Sequence, residues 1–288
     1  MDANHSGFKP GSPSILACSV RSCGEALARD RARLVCARGH SFDIARSGYV
    51  NLLQPNERRS PEPGDSREAV AARRRLFERG VGSALVTPLA AILRERGIAS
   101  GATILDAGCG EGYYLANLSA ALGTNGYGID ISASAIELAA KRYPALTWIV
   151  ANADRVLPIT ALAVDAVLSV TARVNAAEFA RVLRPDGIAV VVVAGPEDLA
   201  ELREALMGRA DEKDRAAAAI EAMSGAFTLA RRSTVRETAR LDRDGLHELL
   251  ASTYRGQRRS QQETLGDVVG MEVTMAKEVL VFWKREEC

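Results

Sequence analysis

Two sets of residues in this 288-residue chain have types and spacings that could do chemistry. The first is the run Thr103-Ile104-Leu105-Asp106-Ala107-Gly108-Cys109-Gly110-Glu111-Gly112-Tyr113-Tyr114. A short apolar stretch ends in an acid, three glycines follow at alternate positions, and a helix-compatible segment begins. Glycines let the backbone take a positive φ and let a ligand approach where a Cβ would stand in the way. The helix start then offers free N–H groups to the polar end of that ligand. A second apolar run, Gly126-Tyr127-Gly128-Ile129-Asp130, ends in another acid about 20 residues on, placed to accept hydrogen bonds from ribose hydroxyls. This spacing implies a nucleotide-type cofactor and leaves NAD and S-adenosylmethionine both open.

The second set is Cys18-x4-Cys23-x12-Cys36-x3-His40, which gathers three of the five cysteines and one of the three histidines. Three thiolates and an imidazole complete a tetrahedral Zn²⁺ shell with no position left for water, so the metal would be structural. The Cys18–Cys23 loop is two residues longer than the usual Cys-x2-Cys knuckle but still fits the range of such loops. A segment this short has little core of its own, and a metal would supply much of its folding energy. Leu27, Leu34, Val35, Phe42 and Ile44 suit the small strands of a zinc ribbon. Arg21, Arg29, Arg31, Arg33, Arg38 and Arg46 crowd the same module, and guanidinium groups suit phosphates and stack on bases.

The wider composition bounds the class. Hydrophobic content of 47% and charged content of 25% are those of a globular protein. No apolar run approaches the ~20 residues of a membrane span, and the first residues lack a charged-then-apolar signal pattern, so a cytoplasmic protein is expected. Net charge is +1 but uneven: residues 1–96 carry +6 and the remainder −5. A basic front half suggests a polyanion-binding surface.

The wording LDAGCGEGYY, YGIDIS and ANADRVLPI resembles the class I methyltransferases, which bind S-adenosylmethionine. The larger order, the Cys…Cys…Cys-x3-His set followed by SFDIARSGYVNLL, PGDSREAVAARR and LDAGCGEGYY, is similar to the RlmA group of 23S rRNA guanine-N1 methyltransferases. The tylosin-resistance enzyme belongs with that group. The resemblance runs from about Cys18 to the C-terminus. It implies a zinc-ribbon domain that helps bind a 23S rRNA hairpin, with Cys18, Cys23, Cys36 and His40 as metal ligands. It further implies a class I methyltransferase domain acting on N1 of one guanine, with an effect on macrolide-type antibiotics. The family often dimerises, although no heptad or apolar stripe in this chain speaks for a homodimer.

These sites need a frame. Residues 1–13 read as a disordered tail, 14–50 as the zinc ribbon, 51–80 as an exposed linker and basic helix, and 81–288 as an α/β Rossmann-like methyltransferase domain. Predicted strands at 103–106, 126–130, 147–151, 163–170 and 188–194 alternate with helices at 113–122, 133–142, 175–183 and 198–206, as a doubly wound sheet requires. Helices at 67–79 and 83–96 precede them. Strand-like 227–238, helical 242–252 and strand 273–284 follow. Ligand is expected at the carboxyl ends of the first two strands of the methyltransferase domain.

Within that frame Gly108, Gly110 and Gly112 keep the turn open for the methionine part, and Asp106 anchors the turn or the amino group. Cys109 is a small packing residue inside the turn. Asp130 takes the ribose hydroxyls, Ile131 packs on adenine, and Asp154 beside Ala153 accepts from the adenine amine. Ser169, near the end of the fourth strand, completes the cofactor set. Three positions depart from the family wording. Gly82 stands where many members have Tyr, Arg173 lies in the loop after the fourth strand, and Asp198 replaces a His. These departures keep two alternatives open: a small-molecule acceptor, or a non-catalytic RNA-binding protein.

Overall fold

The computed structural model describes residues 14–57, 60, 63–208, 214–253 and 268–285. The expected tail at 1–13 and Cys288 lie outside them. The chain opens with a three-stranded antiparallel sheet of β1 (Leu27–Asp30), β2 (Arg33–Cys36) and β3 (Ser41–Asp43). It then enters an eight-stranded sheet through β4 (Tyr49–Asn51). Next come α1 (Arg67–Glu78), a short 3-10 turn at Ser83–Leu85, and α2 (Val86–Glu95).

The doubly wound part contains β5 (Thr103–Ala107), α3 (Tyr113–Leu122), β6 (Asn125–Asp130), α4 (Ala133–Arg142), β7 (Thr147–Val150), β8 (Val164–Val170), α5 (Ala176–Val182) and β9 (Leu183–Ala194). It is followed by α6 (Ala200–Met207), α7 (Arg215–Met223), β10 (Phe227–Asp242), α8 (Arg243–Ala251) and β11 (Gly270–Lys284). The large sheet runs β10-β11-β9-β8-β5-β6-β7-β4. The strands from β9 to β4 are parallel to their neighbours, and β11 and β10 are antiparallel.

Local chemistry explains these elements. β5, β7, β8 and most of β9 are near-continuous apolar runs, because a parallel sheet is covered on both faces. Among the described residues five helices start at side-chain caps: Ser66 accepts from the Ala69 N–H, Ser132 from Ala135, Asn175 from Glu178, Asp214 from Ala217 and Asp242 from Gly245. α3 lies between two left-handed glycines, Gly112 (φ 83°) and Gly123 (φ 70°), so its bounds match the expected ones.

Two expectations about organisation are corrected. The ribbon does not end before the methyltransferase sheet begins. β4 pairs in parallel with β7, Leu16 bridges Ile159, and the Leu52 N–H donates to the Val150 carbonyl at 2.9 Å. Cys18, Leu27, Leu34 and Cys36 share one buried cluster with Leu105, Ile149 and Ile159. Leu52 and Leu53, expected in an exposed connector, are buried, because β4 completes the sheet edge and carries them inward.

The basic helix is also less free than its charge suggests. Arg73 pairs with Asp65, Arg74 with Glu78, Arg75 with Glu248, and Arg79 with both Asp242 and Glu248. Arg73, Arg75 and Arg79 tie α1 to the 242–252 region and Arg74 is paired within α1, so the four do not form an open basic face. On the ribbon itself, Arg21, Arg31, Arg33, Arg38 and Arg46 are exposed. No single helix among the described residues is long and apolar enough to cross a membrane.

Candidate functional site

β5 lies between β6 and β8, so the strand order reverses beside it, and the crevice at its carboxyl end is the expected ligand position. The turn after β5 is pinned by its neighbour: Gly108 and Cys109 N–H groups both donate to the Ile129 carbonyl, at 2.8 and 3.0 Å. Gly108, Gly110 and Gly112 all have positive φ, at 89°, 56° and 83°. Asp130, at the end of β6, accepts from the Gly110 N–H at 2.9 Å with one oxygen and from the Ser132 N–H at 2.8 Å with the other. Each of its oxygens keeps a second lone pair.

Asp106 is 1% exposed, and its Oδ1 has no protein partner. Burial, then the nearby Asp130 charge, pushes its carboxyl up to about 8. A buried carboxyl without a donor costs stability unless something supplies one. The ammonium end of S-adenosylmethionine would be such a donor. That orphan oxygen and the Asp106-turn-Asp130 frame fit the cofactor.

The glycines have separate reasons to be glycine. A Cβ on Gly112 would stand 2.3 Å from the Trp148 ring, and one on Gly108 2.4 Å from the Ala172 Cβ. Only at Gly110 is the obstacle a flexible side-chain end, Arg73 Nη1 at 3.3 Å. Beside the expected role of keeping the turn open for ligand, Gly108 and Gly112 thus make room for the protein's own side chains. Cys109 packs as expected, with its Sγ against Gly128, which also lies under Trp148.

The other expected residues are scattered around this centre. Ile131 is half-buried beside Gly64, where a Cβ would meet Ile131 Cγ2 at 2.9 Å. Ala153 is half-buried, and its carbonyl accepts from Asn175 Nδ2 at 3.2 Å. Asp154 is exposed and paired with Arg173 at 3.2 Å. Ser169 is fully buried, and its hydroxyl donates to the Arg173 carbonyl at 3.3 Å, fastening the loop after β8. That loop turns sharply at Thr171 (φ 54°) and lays Ala172 over Gly108.

Two of the three departing positions are embedded in the fold. Gly82 has φ 87°, Phe77 would stand 3.0 Å from any Cβ there, and Tyr114 donates to its carbonyl at 3.0 Å. Asp198 is buried, pairs with Lys277 at 2.6 Å and accepts from the Ala276 N–H. Arg173 is the exposed exception, 78% accessible.

Sequence reasoning passed over Glu111 and Arg73. Glu111 is 2% exposed with Oε1 unpartnered, and burial pushes its carboxyl up to about 7 against the pull of Arg142, Arg73 and Arg74. It lines a cavity of about 40 Å³ with Arg74, Phe77, Glu78, Tyr113, Arg142 and Tyr143. The second x of the Gly-x-Gly-x-Gly pattern was the available signal.

The metal set converges. The ligand atoms of Cys18, Cys23, Cys36 and His40 all lie within 4.8 Å of one another. His40 Nδ1 is 3.4 Å from both Cys18 Sγ and Cys36 Sγ, and Cys23 Sγ is 3.9 Å from Cys36 Sγ. Ligand bonds of 2.0–2.3 Å in a tetrahedron give edges of roughly 3.4–3.8 Å, which these separations fit. The donor set and its spacing are those of a structural zinc site.

Two family models match, "RlmA, N-terminal" over residues 17–61 and "Methyltransferase domain" over residues 104–187. The 23S rRNA (guanine(748)-N(1))-methyltransferase of Streptomyces fradiae is 35% identical over 234 residues, covering 80% of this chain and 81% of that protein. A Micromonospora griseorubida protein with the provisional name 23S rRNA (guanine-N(1)-)-methyltransferase is 35% identical over 246 residues, covering 79% and 82%. Among solved structures, the methyltransferase complexed with the Haloferax volcanii Trm112 activator superposes with a TM-score of 0.51 at 20% identity, over 77% of this chain and 99% of the other. That likeness shows a shared fold, and with the methyltransferase-domain match over residues 104–187 the sheet is that of a class I methyltransferase.

Proposed function

Because the chain belongs to the family of 23S rRNA (guanine-N(1)-)-methyltransferases with an RlmA-type amino-terminal domain, we propose that it methylates N1 of one guanine in a 23S rRNA hairpin. The observation that carries this reading is the pairing of a metal ribbon with a cofactor sheet in one chain that aligns with such relatives across about four-fifths of its length.

When bound, S-adenosylmethionine supplies a methyl group already activated on its sulfonium. The protein's part is to hold the two reactants in line. In this reading Asp106 faces the ammonium, Asp130 the ribose hydroxyls, Ile131 the adenine ring, and Asp154 the adenine amine, with Ala153 and Ser169 shaping the walls. The ribbon's exposed arginines meet the RNA backbone, where each phosphate contact adds salt-dependent affinity. A guanine in a paired stem must leave the stack first, at a cost of a few kcal/mol.

The test is mass-spectrometric mapping of 23S rRNA from a deletion strain and its parent. The expected result is loss of one N1-methylguanine on deletion and its return with a plasmid copy. Identical N1-methylguanine content in the two strains would sink the proposal.

A further inference from the structure

The segment Pro63-Gly64-Asp65-Ser66, together with the first turns of α1, lies against the cofactor crevice. A Cβ on Gly64 would be 2.9 Å from Ile131 and Ser132 atoms, and Ser132 Oγ donates to the Asp65 carbonyl at 2.9 Å. Seven residues into α1, this placement carries Arg73 over the glycine turn. Its Nη2 is held by Asp65 Oδ2 at 2.5 Å and by the Ser252 carbonyl at 3.1 Å. Its Nη1 stands 3.3 Å from the point where a Gly110 Cβ would be. Both anchoring contacts fall on one nitrogen, so the other edge of the fork is turned to the glycines.

The charges around the turn make this position meaningful. Asp65, Asp106, Glu111 and Asp130 lie around it, four acidic side chains, of which Asp106 and Glu111 are held toward the protonated form by burial. S-adenosylmethionine brings a carboxylate of its own on the methionine end. That group enters an acidic crevice only if a cation meets it. Arg74 and Arg142 are committed to Glu78, at 2.9 and 3.1 Å. Arg73 is the guanidinium that stands beside Gly110, and its planar fork matches a carboxylate.

We infer that Arg73, preset by Asp65 and the Ser252 carbonyl, receives the methionine carboxylate of S-adenosylmethionine beside Gly110. The inference rests on the cofactor reading above and extends it to a residue outside the glycine motif. It assigns the PGDSREAVAARR segment a second task as a wall of the cofactor site.

The experiment compares two ligands by calorimetry on the full chain. S-adenosylmethionine carries the carboxylate, and decarboxylated S-adenosylmethionine lacks that group alone. A charge-assisted hydrogen bond predicts that the wild-type protein binds the first about 10-fold to 100-fold more tightly. In Arg73→Met the ratio should fall toward one, through weaker S-adenosylmethionine binding with the decarboxylated ligand little changed. Arg73→Lys should keep part of the preference, because its charge remains while the fork is lost. Thermal unfolding of each variant checks the fold. If Arg73→Met does not fold, Arg73→Gln and Arg73→Lys are read by the same ratio.

Equal binding of the two ligands by the wild-type protein overturns the inference. So does a variant that weakens both ligands by the same factor, which would mark Arg73 as a brace between α1 and the Ser252 turn. Absence of binding by either ligand to the wild type is a different failure, that of the cofactor reading itself.

Discussion

The metal cluster and the glycine turn were both found from spacing, yet they carry different information. At the cluster, four side chains from separate parts of the ribbon converge within 4.8 Å of one another, so the spacing described the site itself. At the turn, the three glycines face three different neighbours: Ala172, Arg73 and Trp148. A ligand's identity is a positive statement about what a side chain does. A glycine is a negative statement about what must not be there, and the excluded object here is as often the protein as the cofactor.

The largest effect expected from this contrast lies at the metal. Cys36 is buried in the cluster that also holds Leu105 and Ile149 from the heart of the large sheet. Cys36→Ser should abolish stoichiometric zinc and destabilise the whole chain by more than about 4 kcal/mol. Metal analysis and urea unfolding check this together. Because β4 pairs with β7, a single cooperative transition is expected. A ribbon that melts alone at low urea, with the methyltransferase sheet unaffected, would break the view that the two share one core.

The second test separates the glycines. Gly112→Ala places a Cβ against the fully buried Trp148 ring in a left-handed backbone, and should cost about 2–4 kcal/mol in denaturant unfolding. Trp148→Phe should partly rescue it. Gly110→Ala meets only the Arg73 side-chain end and should cost about 1 kcal/mol. Its effect should appear instead in cofactor affinity. Equal stability losses at the two positions would erase the distinction drawn between them.

The same contrast explains what could be read from the chain before its structure. Helices such as Tyr113–Leu122 and Ala133–Arg142 were legible to the residue, because glycines and Ser132 mark their ends locally. β4 was not: three residues show no period, and its partner Trp148 lies about a hundred residues away. α7 was missed because Arg215–Met223 is rich in alanine and offers little apolar stripe, although Asp214 caps it. β9 begins at Leu183 rather than Ile188, where an Arg-Pro-Asp-Gly sequence reads as a turn. The metal ligands and the Asp106–Asp130 pair were legible because chemistry restricts them to few residue types. Arg73 was hidden among three consecutive arginines, and only the docking of Asp65 tells which one faces inward.

The finest test concerns Asp106, the residue that links the turn to its ligand. Folding keeps its carboxyl protonated up to about 8, through burial and the neighbouring Asp130, whereas an unfolded chain ionises it near pH ~4. Between those values the folded state holds a proton that the unfolded state has released. Its contribution to stability is therefore largest below pH ~4, declines as pH rises, and levels off above about 8. The ammonium and sulfonium of the cofactor favour the ionised carboxylate, so binding should expel this proton. S-adenosylmethionine affinity should then rise by about 10-fold from pH 6 to 8 and flatten in Asp106→Asn. Calorimetry in buffers of different ionisation enthalpy counts the released proton directly. A pH-independent affinity in the wild type would mean that the orphan oxygen of Asp106 serves the turn alone. The glycine motif would then resemble the metal cluster less, its acid too being an internal fitting rather than a hand held out to the ligand.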